Sequence, residues 1–144
     1  MLKGIDPLLG PELLAILRAM GHGDEIVVAD ANFPSAALAQ RLVRADGIDA
    51  LRMLEAILSI MPLDDFAPAA FRMAVVGKPK EVPAIAHEFQ KLLRKVGEKR
   101  PIEVLERNAF YERARGAFAV VATGETRLYG NLIIKKGVIR PPTA

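Results

Sequence analysis

Short runs rich in β-branched residues alternate with amphipathic segments along nearly the whole chain. This alternation limits the fold more than any other feature. Residues 25–29 read as a buried strand that ends at Asp30, and 42–44, 71–76, 102–105, 118–122 and 132–134 read as further strands. Between them, Pro11 opens a helix over 11–20, in which Leu13, Leu14, Leu17 and Met20 keep a helical spacing. Gly21 then suits the left-handed position just past its end. Residues 49–60 form a second amphipathic helix, stopped by Pro62, and 83–96 a third that ends at Gly97. Residues 34–40 begin a loop or short helix, and 108–114 a short helix carrying Phe110 and Tyr111. Alternation of this kind predicts an α/β layered architecture. The close spacing of the last strands predicts a mixed or antiparallel portion.

The length of 144 residues fits one domain over 1–144, with neither an internal repeat nor a linker. Hydrophobic residues are 51% and charged residues 26%, a globular balance. No apolar stretch approaches the 18 or so residues of a membrane span, and residues 1–10 do not read as a secretory leader. A soluble, cytoplasmic protein is expected. Mean hydropathy is +0.21, which fits an aliphatic core, a surface covered by a partner subunit, or both.

Charge is uneven. Residues 1–71 hold five basic and ten acidic side chains and 72–144 hold fifteen and seven, so the halves carry −5 and +8. A nucleic-acid face would produce such asymmetry. The densest basic piece (Lys91, Arg94, Lys95, Lys99, Arg100) has no interleaved aromatics, and a solvated helix face or complementary charge between subunits explains it better. No nucleic-acid partner is expected.

The absence of cysteine and the presence of only two histidines narrow the chemistry. Disulfides, thiol nucleophiles and cysteine-ligated metals are excluded, and no metal site or cofactor is expected. No phosphate-binding glycine loop, serine-hydrolase elbow or zinc-protease motif occurs. His22 stands between Gly21 and Gly23 at a helix–strand junction, open to either a structural or a proton-transfer role. His87 falls with Lys91 and Arg94, away from Ile85 and Phe89, and reads as helix surface. Asp30 lies at the carboxyl end of a buried strand, where α/β sheets bind ligands, although a turn aspartate explains it too. Arg107 follows a strand and precedes Asn108, which is placed to cap the next helix. Tyr129-Gly130-Asn131 combines a phenol, a close-approach glycine and an amide; a hairpin turn would account for the same tripeptide.

Five segments occur together in order: Gly21-His22-Gly23-Asp24-Glu25, Ala29-Asp30-Ala31-Asn32-Phe33-Pro34, Glu106 to Ala114, Tyr129-Gly130-Asn131, and Lys135-Lys136-Gly137-Val138. Each is weak alone, but the ordered set resembles the D-ribose pyranase / L-fucose mutarotase family over nearly the full length. Gly23 after the histidine, Asn32-Phe33-Pro34 and the Ala109-Phe110-Tyr111-Glu112-Arg113 run are most similar to the L-fucose branch. Asn32 and Asn108 depart from it, standing where His and Phe are common.

The resemblance implies a three-layer α/β/α fold with a mixed sheet and a cofactor-free isomerase that interconverts sugar anomers. It also implies a ring-like homo-oligomer, often a decamer, with active sites near subunit contacts. His22 would match the catalytic histidine, with Tyr129 as its partner. Asp30, Arg107, Tyr129, Gly130 and Asn131 would hold the sugar, Asp30 also being able to orient the histidine. A non-catalytic monosaccharide-binding or transport-accessory module would use the same binding residues.

Overall fold

The computed structural model describes residues 1–143. In chain order the elements are α1 (Pro11–Ala19), β1 (Glu25–Ala29), α2 (Ser35–Leu38), β2 (Leu42–Ala45), α3 (Ala50–Leu58) and β3 (Ala70–Met73). They continue with α4 (Ala84–Lys95), β4 (Glu103–Leu105), α5 (Arg107–Gly116), β5 (Ala119–Thr123) and β6 (Leu132–Lys135). Every strand and helix expected from the sequence is present.

The six strands form one sheet in the order β2-β5-β1-β6-β3-β4. β1, β5 and β2 are mutually parallel, as are β3 and β4. β6 runs antiparallel to both its neighbours, β1 and β3. Five strands therefore share one direction and a single reversed strand joins the two halves. This is the mixed sheet that the sequence predicts, but β5 and β6 are separated by β1. The hairpin explanation of Tyr129-Gly130-Asn131 fails for that reason: residues 124–131 cross over the end of β1.

Strand β1 shows how the sequence builds three layers. Ile26 and Val28 enter one hydrophobic cluster with Leu13, Leu54 and Phe89 from α1, α3 and α4. Val27 and Ala29 enter another with Leu38 and Phe110 from α2 and α5. Successive side chains on a strand point to opposite faces, so a strand covered on both sides must be apolar throughout. The α/β/α architecture follows. No helix among the described residues is long and apolar enough to cross a membrane.

Three local expectations need correction. Gly21 does not end α1 in a left-handed conformation: Met20 is the cap, at φ −59° and ψ 138°. The positive φ falls on Gly23, at 88°. The end of α1 is held instead by Lys136, whose Nζ donates to the carbonyls of Leu17 (2.7 Å) and Met20 (2.5 Å). Asn108 does not cap α5; Glu106 does, accepting from the amides of Asn108 and Ala109. β3 stops at Met73 rather than Val76, because the chain then turns toward Tyr129.

Candidate active site

The direction of β1 decides what the candidate residues can do. Asp30, Tyr129, Gly130 and Asn131 gather at its carboxyl end, whereas His22 lies before its amino end. Five strand residues at about 3.3 Å each put roughly 17 Å between the two groups.

At the carboxyl end, Asp30 and Asn131 are buried and hold each other's loops. The Asp30 amide donates to Asn131 Oδ1 at 2.7 Å. The Asp30 carboxylate accepts from the amides of Asn32 (2.9 Å) and Gly130 (3.1 Å). Burial pushes the Asp30 carboxyl up from the ordinary aspartate value, and the amide donors only partly offset this. Gly130 is required by space. A Cβ there would stand 2.8 Å from Glu125 Cγ and 3.1 Å from Ile85 Cδ1.

Tyr129 has φ +61°, the one non-glycine residue in the left-handed region among those described. Its hydroxyl accepts from the Val76 amide at 3.0 Å. The hydroxyl proton is therefore left for another partner. Strain of this kind persists where surrounding structure enforces it, and it clusters at functional sites. Asp30, Tyr129 and Asn131 line a cleft of about 180 Å³, closed by Asn32, Phe33, Met73, Tyr111 and Leu128. The Phe33 and Tyr111 rings meet edge to face, with centroids 5.7 Å apart.

Arg107 does not line this cleft. It is exposed at the start of α5, without a hydrogen bond or ion pair to the described residues. It stands four residues before Tyr111, which lines the cleft, on the same face of α5.

At the other end, the His22 loop is pinned from several directions. The Gly21 amide donates to Asp24 Oδ2 at 2.7 Å, and the Gly23 amide donates to the Lys136 carbonyl at 2.9 Å. The carboxylate that meets the imidazole is Asp64, not Asp30. His22 Nε2 lies 3.0 Å from Asp64 Oδ1. The His22 side chain is 43% exposed and that of Asp64 only 4%. Burial alone would raise the Asp64 carboxyl. The bonds from His22 and the Phe66 amide outweigh it and hold the group below the ordinary value. Asp64 is therefore an ionised acceptor, which makes Nε2 the donor and leaves Nδ1 of a neutral ring as the open base. Phe66 packs on the imidazole at 5.2 Å between centroids.

A larger cavity of about 660 Å³ lies beside this pair, lined by Asp64, Asp65, Glu98, Arg100 and Ile139 among others. Sequence reading missed Asp64, because nothing in Pro62-Leu63-Asp64-Asp65 distinguishes it from a turn aspartate. His87 is exposed on α4, as its spacing predicts.

Comparison with known proteins follows the same lines. Residues 3–139 match the RbsD / FucU transport protein family. A fucose mutarotase from Danio rerio is 51% identical over 148 residues, covering 98% of this chain and 96% of that protein. The crystal structure of the Streptococcus pneumoniae fucose mutarotase in complex with L-fucose superposes with a TM-score of 0.89 at 44% identity, over 96% of this chain and all of that one (100%). Bacillus subtilis RbsD complexed with D-ribose is more distant. Its TM-score is 0.74 at 26% identity, with 97% of this chain and 100% of that one covered.

Proposed function

We propose that this chain, which belongs to the RbsD / FucU transport protein family, is an isomerase that interconverts the α and β anomers of L-fucose or a closely related monosaccharide. The cleft at the end of β1 carries the reading: a buried carboxylate, an amide and a phenol converge on one small apolar-walled space. Fucose is favoured over ribose because the fucose-bound relative is nearer in both sequence and fold.

Mutarotation breaks the bond between the anomeric carbon and the ring oxygen. The ring oxygen gains a proton and the anomeric hydroxyl loses one, giving an open-chain aldehyde. Rotation and reclosure on the other carbonyl face regenerate the ring. Net atoms and electrons are unchanged, so no cofactor is needed. In our assignment Asp30, Asn131 and the Gly130 turn hold sugar hydroxyls, and Arg107 donates to sugar oxygens. Tyr129 and His22 exchange the protons, Tyr129 at the anomeric hydroxyl and His22 at the ring oxygen.

His22 cannot reach the cleft of its own chain across roughly 17 Å. It therefore serves the cleft of a neighbouring copy. A patch at one end of β1 that meets a different patch at the other end is a head-to-tail contact, which closes into a ring when the rotation allows. We assign a homo-oligomeric ring, with a decamer as its expected size, working in the cytoplasm on a free sugar.

The same separation favours one rival: a single copy would bind sugar without turning it over, as a binding or transport-accessory module. Saturation-transfer NMR on L-fucose, D-ribose and related sugars separates the two. The mutarotase exchanges magnetisation between anomers of its sugar, and His22→Gln slows this by about 10²–10⁴-fold. Sugar binding without exchange establishes the binding module instead.

A further inference from the structure

We propose that Arg100, backed by Glu98, is a positioning residue that sets the proton-transferring state of His22. The inference rests on His22 being the group that moves the proton. Asp64 is the only carboxylate within bonding distance of the imidazole among the described residues, and it sits on a segment, residues 64–67, without helix or strand structure. Its amide is fixed on the Lys135 carbonyl at 3.0 Å. Exposed Arg140 pairs with the Asp65 side chain and the Phe66 amide donates to Asp64 Oδ1, but the carbonyls at the two ends of the segment are both held by one side chain. Arg100 Nη2 donates to the Asp64 carbonyl at 2.6 Å, and Nη1 donates to the Ala67 carbonyl at 2.8 Å. The two bonds span the turn that aims the Asp64 carboxylate at Nε2.

Arg100 is itself held on its far side. Its Nε and Nη2 donate to Glu98 at 3.0 and 2.6 Å, and its amide donates to Glu98 Oε1 at 2.8 Å. Its carbonyl accepts from Gln90 Nε2 of α4 at 3.1 Å, and Gln90 Oε1 accepts from the Ile102 amide at 2.9 Å. Gly97, at φ 98°, ends α4 and lets the Glu98 amide bond back to the Leu93 carbonyl at 2.9 Å. The end of α4, anchored by buried Phe89 and Leu93, thus supports Glu98, Glu98 fixes a planar guanidinium, and the guanidinium fixes the Asp64 turn. Lysine lacks the rigid fork that bonds two carbonyls and a carboxylate at once.

With Asp64 in place, the ring is committed to Nε2–H and its Nδ1 is the base. Released, the carboxylate stops selecting a tautomer, and a share of the rings presents the wrong nitrogen.

The test uses the full chain. Long-range 1H–15N spectra report the tautomer of each histidine, and exposed His87 is an internal reference. Wild type is expected to show His22 as Nε2–H only, and Arg100→Met and Asp64→Asn a mixture. Arg100→Met lowers kcat about tenfold and Asp64→Asn about a hundredfold, with KM steady. In the Asp64→Asn background, Arg100→Met costs nothing more. Arg100→Lys recovers part of the loss. Should Arg100→Met not fold, Glu98→Gln gives the same mixture in weaker form.

A folded Arg100→Met or Glu98→Gln protein with wild-type kcat and a pure Nε2–H His22 overturns the proposal. So does a double variant whose losses multiply. Full exchange by His22→Gln overturns the reading of function instead, and the tautomer spectra still decide what Arg100 does.

Discussion

The two ends of β1 each present a buried aspartate, and the fold treats the two in opposite ways. Asp30 is surrounded by backbone amides and the Asn131 amide, all neutral, and burial wins: its carboxyl is raised. Asp64 is as deeply buried, but it meets an imidazole, and its carboxyl is lowered. Neutral donors suit a group that shares hydrogen bonds with sugar hydroxyls and need not carry full charge. A fixed charge suits a group that keeps a histidine in one tautomer. In the assignment proposed above, one end holds and the other transfers, and each cleft draws its histidine from a neighbouring copy.

That division is broken most sharply by mixing subunits. His22→Gln and Asp30→Asn are each expected to be inactive. Co-refolded in equal amounts, they regain activity, because some clefts draw His22 from one variant and Asp30 from the other. Random neighbours in a head-to-tail ring give about a quarter of the wild-type clefts. Anomer exchange that stays at background in the mixed, correctly sized oligomer would remove the shared site.

Next in size is Asp64→Asn, which acts on one end only. About a hundredfold is lost from kcat while fucose affinity, measured by titration calorimetry, is retained. A fall in affinity with kcat unchanged would assign Asp64 to the holding end. Gly130→Ala makes the reciprocal test. Its Cβ would press on Glu125 Cγ at 2.8 Å and on the Arg127 carbonyl at 3.1 Å. Overpacking of this kind costs about 1–3 kcal/mol. A lower urea midpoint and weaker sugar binding are expected, with the His22 spectrum unmoved.

The holding end was far more legible in the sequence than the transferring end. Asp30 follows a run of β-branched residues, and a polar residue at the carboxyl end of a buried strand carries its own signal. Tyr129-Gly130-Asn131 was legible as a cluster, but its hairpin alternative fell only when β1 was found between β5 and β6. His22 was visible between its glycines. Asp64 was not, because its role depends on β6 bringing Lys135 and Lys136 against residues 62–64, a contact that no local pattern encodes. Arg100 was read as one of several surface cations. Its difference from Lys99 lies in its bonds to neighbouring Glu98 and in the carbonyls it meets across about 35 residues of chain. The layers were legible throughout, since the unbroken apolar run of β1 and the apolar faces of α3 and α4 are local properties.

The smallest effect is the most direct comparison of the two carboxyls. A group whose folded pKa is raised binds more protons in the native state than in the unfolded chain. Between the ordinary value of 3.8 and its raised folded value, Asp30 therefore loses stabilising worth as pH rises. Asp64 has a lowered folded pKa, so its contribution is complete above 3.8 and fades as pH falls through the folded value. Urea unfolding of wild type, Asp30→Asn and Asp64→Asn across acid pH separates the two. The stability gap between wild type and Asp64→Asn should widen as pH rises toward 3.8. The gap between wild type and Asp30→Asn should move against Asp30 as pH rises beyond 3.8. The absolute gaps also contain packing changes, but those do not vary with pH, so the slopes isolate the carboxyls. Slopes of the same sign would mean that the two ends solvate their aspartates alike, and the division between holding and transferring would lose its electrostatic basis.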